Sequence, residues 1–286
     1  MNIDTTQQQT VIVYRPSALG DVAMAIPAIY TLAMSHPDVR VVAVTNRKFT
    51  SLFIDRPANL EVFGIDKNDF KNLPSVLKLV KRLDEYDPSV FIDLHNTLRS
   101  WIIDTEFARR GRRVEILDKR RHERLSILRH HAVSKRDFTQ RYFDAIEMAG
   151  YSLDRSLFKG FADKAAKQTA VGKRRVGIAP FARYATKTYP VEMMEEVVAT
   201  LSASGHYEIY LFGGGEQELA ILNSWNDRYS AIVFVSGSLT LDREMALMGT
   251  MDVMVTMDSA NMHLASLEGT RVISIWGGTT PACGFM

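Results

Sequence analysis

Short apolar runs rich in β-branched residues alternate along the whole chain with amphipathic segments of helical spacing. Such a run, bounded by turn residues, predicts a buried strand, and apolar residues three and four apart predict a helix. Strands that alternate with helices form parallel sheets, because each helix carries the chain back to the start of the next strand. The pattern therefore predicts an α/β fold with helices on both faces of its sheets.

The alternation occurs in two series, separated by a less regular stretch at 151–173 that we interpret as a linker. Predicted strands of the first series are 10–14, 39–45, 60–65, 90–94 and 113–116, and its helices are 21–35, 48–54, 73–85, 98–109 and 138–150. Those of the second series are strands 175–179, 207–212, 232–235, 253–256 and 272–276, with helices 190–204, 216–227, 242–248 and 261–268. We therefore expect two domains, 1–160 and 161–286. Ligands of open α/β sheets bind at the carboxyl ends of strands, so the cleft between the domains is the expected site.

Composition excludes several classes of protein. The 286 residues are 46% hydrophobic and 24% charged, as in ordinary globular domains. The single cysteine, Cys283, rules out a disulfide framework and a metal site built from cysteines. Residues 1–10 lack the pattern of a signal peptide, and no apolar run approaches the roughly 20 residues of a membrane span. These features predict a cytoplasmic protein.

Positive charge is concentrated between Arg99 and Arg136. This segment holds 12 Lys and Arg against 5 Asp and Glu, although the whole chain carries a net charge of only +2. Such a segment attracts nucleic acid, an acidic lipid surface or a phosphorylated saccharide, or it is a solvated loop with no partner. Binding of nucleic acid is disfavoured, because the chain has no recognition motif and no aromatic residues interleaved with the cations.

The first predicted strand ends in a turn that leads to Asp21. The turn has no G-x-G-x-x-G sequence, so the dinucleotide-binding fingerprint is missing. Gly20 allows a tight turn and places Asp21 at a helix start. There the carboxylate either accepts a proton from a substrate hydroxyl or caps the helix. The same choice applies to two neighbours: Ser17 is either a site residue or a turn hydroxyl, and Arg15 is either a site residue or a surface charge.

Two strand ends of the second series carry groups suited to a nucleotide. Arg183 and Lys187 follow strand 175–179, where they either neutralise a diphosphate or are exposed loop cations. The glycine run that contains Gly214 lets a ligand approach the backbone, and the carboxylate of Glu216 can accept two ribose hydroxyls. A flexible turn explains the glycines equally well.

A polar helix start follows the strand at 253–256. Asp258, Ser259 and Asn261 are residues that cap helices, and the next strand ends in the glycine-rich segment 277–281. Free amides and the positive end of a helix dipole favour an anionic ligand there. His263, one turn further, either faces that ligand or packs in the core. No cluster of side chains has the spacing of metal ligands, so we expect no bound metal.

Five blocks together resemble glycosyltransferase family 9, the ADP-heptose:lipopolysaccharide heptosyltransferases. They are residues 17–22, 187–190, 212–216, 258–265 and 276–281, and they occur in the family's order across nearly the whole chain. The resemblance implies a GT-B fold, in which two Rossmann-like βαβ domains have parallel sheets that face an interdomain cleft. It also implies a metal-independent, inverting transfer from a nucleotide sugar, with no cofactor.

The resemblance also assigns roles by position. Asp21 would be the general base, Lys187 would hold the leaving diphosphate, and Glu216 would bind the donor ribose. The remaining expected donor-site residues are Ser17, Gly20, Arg183, Thr186, Gly214, Asp258, Ser259, Ala260 and His263. The N-terminal domain would bind a phosphorylated, lipid-linked saccharide through Arg99, Arg120, Arg121 and Arg124. Such an acceptor implies peripheral contact with the inner face of the cytoplasmic membrane.

Three positions depart from the family's pattern. Ala260 stands where glycine is more frequent, and Thr280 stands where an acidic residue is common. The chain ends at Met286, where family members usually continue, so the resemblance implies an incomplete nucleotide-sugar-binding domain. Two alternatives remain open: transfer of another sugar from another nucleotide, and a non-catalytic protein that binds a nucleotide sugar or a glycan.

Overall fold

A computed structural model describes residues 8–119, 137–161 and 172–285. The chain divides into two compact units, Met1–Phe158 and Lys159–Met286. Among the described residues, each unit contains one five-stranded sheet in which every neighbouring pair of strands is parallel. The predicted α/β class with two parallel sheets is therefore confirmed.

The sheet of the first unit has the strand order β3-β2-β1-β4-β5. Its strands are β1 Thr10–Tyr14, β2 Arg40–Asn46, β3 Leu60–Ile65, β4 Val90–Asp93 and β5 Arg113–Ile116. All residues of the central strand β1 are buried, which is typical of a parallel sheet covered on both faces. The helices that cover it are α1 Leu19–Ser35, α2 Leu73–Asp84, α3 Leu98–Arg109 and α4 Phe138–Met148. Helix α1 packs against α4, and α2 packs against α3.

The sheet of the second unit has the order β10-β9-β6-β7-β8. Its strands are β6 Arg174–Ala179, β7 Tyr207–Leu211, β8 Ile232–Val235, β9 Val253–Met257 and β10 Val272–Ile275. Its helices are α5 Val191–Ala203, α6 Glu216–Asn226, α7 Leu241–Gly249 and α8 Ala260–Leu267. The side chain of Trp225 fills the core between helix and sheet and is almost fully buried.

Two local predictions were wrong. The helix expected at 48–54 is a 3-10 helix, Arg47–Leu52, because its short polar sequence provides no apolar face that would extend an α-helix. Gly20 does not form a tight turn: it is the second residue of α1 and has no positive φ. The chain turns before the helix, so position 20 does not need the freedom of glycine.

Within the described ranges, none of the helices combines the length and the apolar composition that a membrane span requires.

Candidate functional site

Each sheet has one point at which the direction of strand addition reverses. In the first unit this point lies between β1 and β4, and in the second it lies between β6 and β9. Right-handed connections place the helices that follow two such strands on opposite faces of the sheet. A crevice therefore opens at the carboxyl ends of the two strands, which is where open α/β sheets bind ligands. Most of the predicted site residues that are described lie in the loops that follow these strands or near the starts of the helices after them.

Asp21 is held at the first of these points by a buried arginine. Arg15 follows β1 and is buried, so its interpretation as a surface charge was wrong. One of its guanidinium nitrogens donates to the Leu94 carbonyl at 2.6 Å, and another forms an ion pair with Asp21 at 2.8 Å. The second Asp21 oxygen accepts the N–H of Ala18 at 3.1 Å, so Asp21 bonds the N-cap residue and is not itself the N-cap. The carboxylate remains 28% exposed and can contact a ligand.

His95 joins this group from the loop after β4, and the sequence analysis missed it. Its Nε2 lies 3.3 Å from the hydroxyl oxygen of Ser17. Burial of the ring, followed by the positive charges of Arg15 and Lys119, lowers the pKa of His95 to about 4. The ring is therefore neutral near pH 7 and can donate or accept a hydrogen bond. The sequence feature that could have identified His95 is its position two residues after the end of a strand.

A cavity of about 450 Å³ adjoins Ser17 and His95. Tyr14, Ile65 and Phe70 supply apolar surface to it, and Arg99 and Lys67 supply positive charge. Arg99 therefore stays a candidate for binding an acidic acceptor, and Lys67, which follows β3, is a candidate that the sequence analysis missed. Arg120, Arg121 and Arg124 lie outside the described residues.

Most of the other described cations of the basic segment are already paired. Arg109 contacts Glu106, and Arg110 and Arg112 both contact Asp84, which precedes the segment. Arg113 donates to the Met148 carbonyl. Six of the twelve cations lie in 120–136, outside the described residues. The positive field expected from the sequence is therefore reduced in the described part of the segment.

Lys187 and Asp258 meet at the switch point of the second sheet. The Lys187 ammonium lies 2.6 Å from Asp258 Oδ2, and the Thr279 hydroxyl donates to the same oxygen. The side chains of Lys187 and Asp258 are 21% and 4% exposed. Lys187 is thus not a freely exposed loop cation, because a nearly buried carboxylate holds it in place.

The start of α8 differs in detail from the prediction. Ser259 occupies the N-cap position but makes no capping bond, and its hydroxyl oxygen is buried with no hydrogen-bond partner in the described structure. Ala260 is the first residue of the helix, and His263 lies one turn further and is half-buried. A buried, unpartnered hydroxyl at a helix N-terminus is a group that an anionic ligand could satisfy.

The glycine-rich end of β10 serves a different contact from the one expected. Gly278 donates its N–H to the Thr186 carbonyl at 2.6 Å. A Cβ atom at Gly277 would lie 2.5 Å from the same carbonyl oxygen. These glycines therefore allow close approach of the loop that carries Lys187, whereas the prediction was that the amides of this segment are free for an anionic ligand. The Thr186 residue is otherwise exposed.

The loop after β7 is also partly occupied by the protein itself. Gly214 donates its N–H to the carboxylate of Glu218 at 2.8 Å, so this amide is not free for a ligand. Glu216 is exposed as the first residue of α6. Arg183 is exposed beside the ring of Tyr184. The described contacts do not bring Arg183 or Glu216 to the Lys187–Asp258 pair.

Among the residues that the structure describes, no group of three or more His, Cys, Asp or Glu side chains is arranged to hold a metal ion.

Comparison with known proteins gives consistent results. Residues 76–283 match the sequence model of glycosyltransferase family 9 (heptosyltransferase). Lipooligosaccharide heptosyltransferase 2 of Campylobacter jejuni is 22% identical over 94% of this chain and 81% of its own length. Lipopolysaccharide heptosyltransferase 3 of Escherichia coli is 22% identical over 91% of this chain and 81% of its own length.

Solved structures show the same fold. The E. coli heptosyltransferase WaaC with ADP superimposes with a TM-score of 0.71 at 18% identity, covering 96% of this chain and 89% of its own. A family 9 glycosyltransferase from Veillonella parvula superimposes with a TM-score of 0.75 at 16% identity, covering 100% of this chain and 86% of its own. The fold is thus that of the GT-B heptosyltransferases, and the family match spans well over half of the sequence. The chain belongs to glycosyltransferase family 9, the heptosyltransferase family.

Proposed function

We propose that this glycosyltransferase moves heptose from ADP-heptose onto a lipopolysaccharide core or a related envelope glycan, with inversion and without a metal ion. The observation that carries the proposal is the Asp21 carboxylate, which a buried arginine fixes at the carboxyl end of β1 while part of it stays exposed. The names of the relatives supply the donor and acceptor, because the curated matches are lipopolysaccharide or lipooligosaccharide heptosyltransferases. A solved relative binds ADP-2-deoxy-2-fluoro heptose.

Asp21 acts as the general base in this proposal. A carboxylate that receives hydrogen bonds from Arg15 and from the Ala18 amide has a fixed direction, which orients it toward an acceptor hydroxyl. Removal of the hydroxyl proton increases the nucleophilicity of the oxygen during attack on the anomeric carbon. Attack on the face opposite the leaving diphosphate inverts the configuration at that carbon. Ser17 in the preceding loop and Gly20, the second residue of α1, remain proposed donor contacts beside Asp21.

Lys187 stabilises the departing diphosphate in this proposal. The Lys187 ammonium has three N–H donors, so it can contact a phosphate oxygen while it keeps its bond to Asp258. Negative charge develops on the diphosphate in the transition state. Positive charge and helix amides at this position therefore stabilise the transition state more than the ground state. Ser259, Ala260 and His263 at the start of α8 complete the phosphate and sugar site. Arg183, Thr186, Gly214 and Glu216 remain proposed donor contacts on the surrounding loops.

The acceptor is proposed to bind in the cavity of the first unit. Arg99 and Lys67 supply positive charge there, which suits a phosphorylated saccharide. Leu98 and Trp101 beside Arg99 are 90% and 65% exposed. Exposed leucine and tryptophan next to cations favour contact with an anionic membrane surface. We therefore propose peripheral binding at the inner face of the cytoplasmic membrane, where a lipid-linked acceptor is accessible.

Calorimetric titration with ADP, UDP, GDP and ADP-heptose in the presence of EDTA tests the donor. We expect binding of ADP and ADP-heptose alone. Preference for UDP or GDP would change the donor and retain the transferase mechanism. Because the related glycosyltransferase TibC is described as iron-containing, the titration is repeated after addition of iron. Binding that requires iron would contradict the metal-independent part of the proposal.

An Asp21→Ala variant separates a catalyst from a binding protein. We expect it to lose transfer of heptose and to retain the affinity of the wild type for ADP-heptose. A wild-type protein that binds ADP-heptose and transfers nothing to any acceptor would favour the non-catalytic alternative.

A further inference from the structure

Two buried aspartates contact each other behind the loop that carries His95. Asp93 ends β4 and Asp104 lies on α3, with exposed fractions of 0% and 5%. The Asp104 side chain is hydrogen bonded to that of Asp93. Two carboxylates in contact in an apolar interior are not both ionised, because each charge opposes the other. One proton shared between them is therefore the expected state near neutral pH.

Asp93 also accepts hydrogen bonds from the backbone of the residues that follow β4. One of its oxygens accepts the His95 N–H at 2.7 Å, and the other accepts the Asn96 N–H at 2.9 Å. Asn96 has a φ of 45°, a conformation that few residues other than glycine adopt. Its side chain donates to the Leu117 carbonyl at 2.7 Å. The carboxylate of Asp93 thus contributes to holding the loop 94–97 in its conformation.

This loop makes two contacts with residues 15–18, the loop that precedes Asp21 and the start of α1. The Leu94 carbonyl accepts a hydrogen bond from Arg15, the same residue that forms the ion pair with Asp21. The His95 ring contacts the Ser17 hydroxyl. We propose that Asp93 and Asp104 form a proton-sharing acid pair that positions Asp21, acting through the loop 94–97 and Arg15. The positioning role rests on the proposed function of Asp21, whereas the acid pair itself does not.

The charged groups that the structure describes around the pair do not supply a positive charge to it, so we expect a proton to neutralise it. On β1, burial and the charges of Asp93 and Asp104 raise the pKa of the Tyr14 phenol well above its usual value, so Tyr14 is neutral. Before α2, Asp69 is paired with Arg82, and on α3 itself Arg99 is exposed. Among the residues the structure describes, no cation forms an ion pair with Asp104, and its Oδ1 has no hydrogen-bond partner. Burial, followed by the charge of Asp93, raises the pKa of Asp104 to about 8.

The acid pair predicts a definite dependence of stability on pH. An unfolded aspartate loses its proton near pH 4, roughly its ordinary pKa, whereas folded Asp104 keeps the proton until about pH 8. The folded state therefore binds one more proton than the unfolded state between these values, and the free energy of unfolding falls as pH rises through this window. Above it, two adjacent anions repel each other and displace the loop 94–97.

An Asp104→Asn variant tests the pair, because an amide N–H can donate to Asp93 as the protonated acid does. The control is Asp38→Asn, which changes an exposed aspartate of the same unit. Urea unfolding of the intact chain is measured from pH 5 to 9. We expect the fall in stability between pH 5 and 8 to be reduced in Asp104→Asn and unchanged in Asp38→Asn. Identical pH dependence in Asp104→Asn and the wild type would overturn the acid pair.

The positioning role needs a second variant, Asp104→Leu, which cannot donate to Asp93. We expect kcat to fall roughly 10-fold to 100-fold, as for a misplaced catalytic group, with an unchanged dissociation constant for ADP-heptose. In the wild type we expect kcat to fall above about pH 8, where both acids of the pair are charged. We expect this fall to be absent in Asp104→Asn, which keeps the activity of the wild type below that pH. Unchanged kcat in Asp104→Leu would overturn the positioning role.

A readout without turnover separates this proposal from the proposed function. The ¹⁵N signals of the His95 ring report its contact with Ser17, and we expect them to shift in Asp104→Leu and not in Asp38→Asn. If the wild type transfers no sugar, the proposed function fails, and the unfolding and NMR measurements still decide the acid pair and its effect on the loop. Unshifted His95 signals would contradict that effect.

Discussion

Lys187 forms an ion pair with Asp258 at 2.6 Å, and these residues lie 71 positions apart in the sequence. Asp258 is nearly buried and also accepts the hydroxyl of Thr279. The pair therefore has two consequences. The carboxylate holds the ammonium in a defined position, and it also offsets part of the charge that a diphosphate would attract.

Replacement of Lys187 by alanine should reduce both activity and stability. We expect kcat/KM to fall by roughly 10²-fold to 10³-fold, because one donor to the developing charge is lost. The free energy of unfolding should fall by about 2–3 kcal/mol, since the buried carboxylate of Asp258 loses its cation. Steady-state kinetics and urea unfolding measure the two effects. Lys173→Ala, which removes an exposed cation of the same unit, is the control. Lost stability with full activity would remove Lys187 from the mechanism.

Replacement of Asp21 by asparagine should reduce turnover without a loss of donor affinity. The amide can still accept the Ala18 N–H, but it cannot take the acceptor proton. Loss of a general base typically lowers kcat by about 10²-fold to 10⁴-fold. Single-turnover kinetics and calorimetry with ADP-heptose separate the two quantities, with Asp38→Asn as the control. An equal loss of turnover and donor affinity would mean that Asp21 acts through the structure of the loop and not as a base.

Charge reversal in the cavity of the first unit should weaken binding of the acceptor alone. In a variant with Arg99→Glu and Lys67→Glu, we expect KM for the acceptor to rise by about tenfold or more, because two charge-assisted contacts become repulsive. The dissociation constant for ADP-heptose should stay unchanged. Lys81→Glu on the exposed surface of α2 is the control. Equal losses of acceptor and donor binding would contradict the assignment of this cavity.

His95 should make the protein less stable in acid. Burial lowers its pKa to about 4, whereas an unfolded histidine titrates near 6.5. Between these values the unfolded state binds more protons, so the free energy of unfolding falls as pH drops through this window. The partly exposed ring limits the effect to about 1–3 kcal/mol.

The measurement compares the wild type with His95→Gln by urea unfolding at pH 7.5 and 4.5. Glutamine keeps the backbone N–H that donates to Asp93 and does not titrate. Asp104 has a pH effect of the opposite sign, which is common to both proteins and cancels in the difference. A difference in stability that is the same at both pH values would show that His95 does not resist protonation.

The sequence was sufficient to predict the elements of the fold, because their signals are local. Strands such as Thr10–Tyr14 and helices such as Leu98–Arg109 have the predicted bounds, since apolar spacing and capping residues lie within the elements themselves. The strand order was not predictable in the same way. It depends on which strands pair over distances of 80 residues or so, as β1 and β4 do, and no local pattern encodes that choice.

Individual side chains at the site were predicted less well, for the same reason. Arg15 has the composition of a surface residue, and it is buried only because the Leu94 carbonyl and Asp21 supply partners. The glycine run that contains Gly214 was expected either to let a ligand approach the backbone or to form a flexible turn, but the Gly214 amide donates to Glu218. Nothing in the local sequence identifies Asp104 as a buried acid, because its partner Asp93 lies on a strand and the contact appears only in the folded structure.

The strand order also affects the stage of folding at which the chain becomes able to bind its ligands. Arg15 and Leu94 are separated by 79 positions, and Lys187 and Asp258 by 71. Contacts of this sequence separation form late, because a long loop must close before they can contribute. Neither the contact between Arg15 and Leu94 nor the pair of Lys187 and Asp258 therefore exists in a chain that has formed only its local helices. During refolding, recovery of ligand binding should coincide with the final pairing of β1 with β4 and of β6 with β9, and not with the earlier appearance of helical structure.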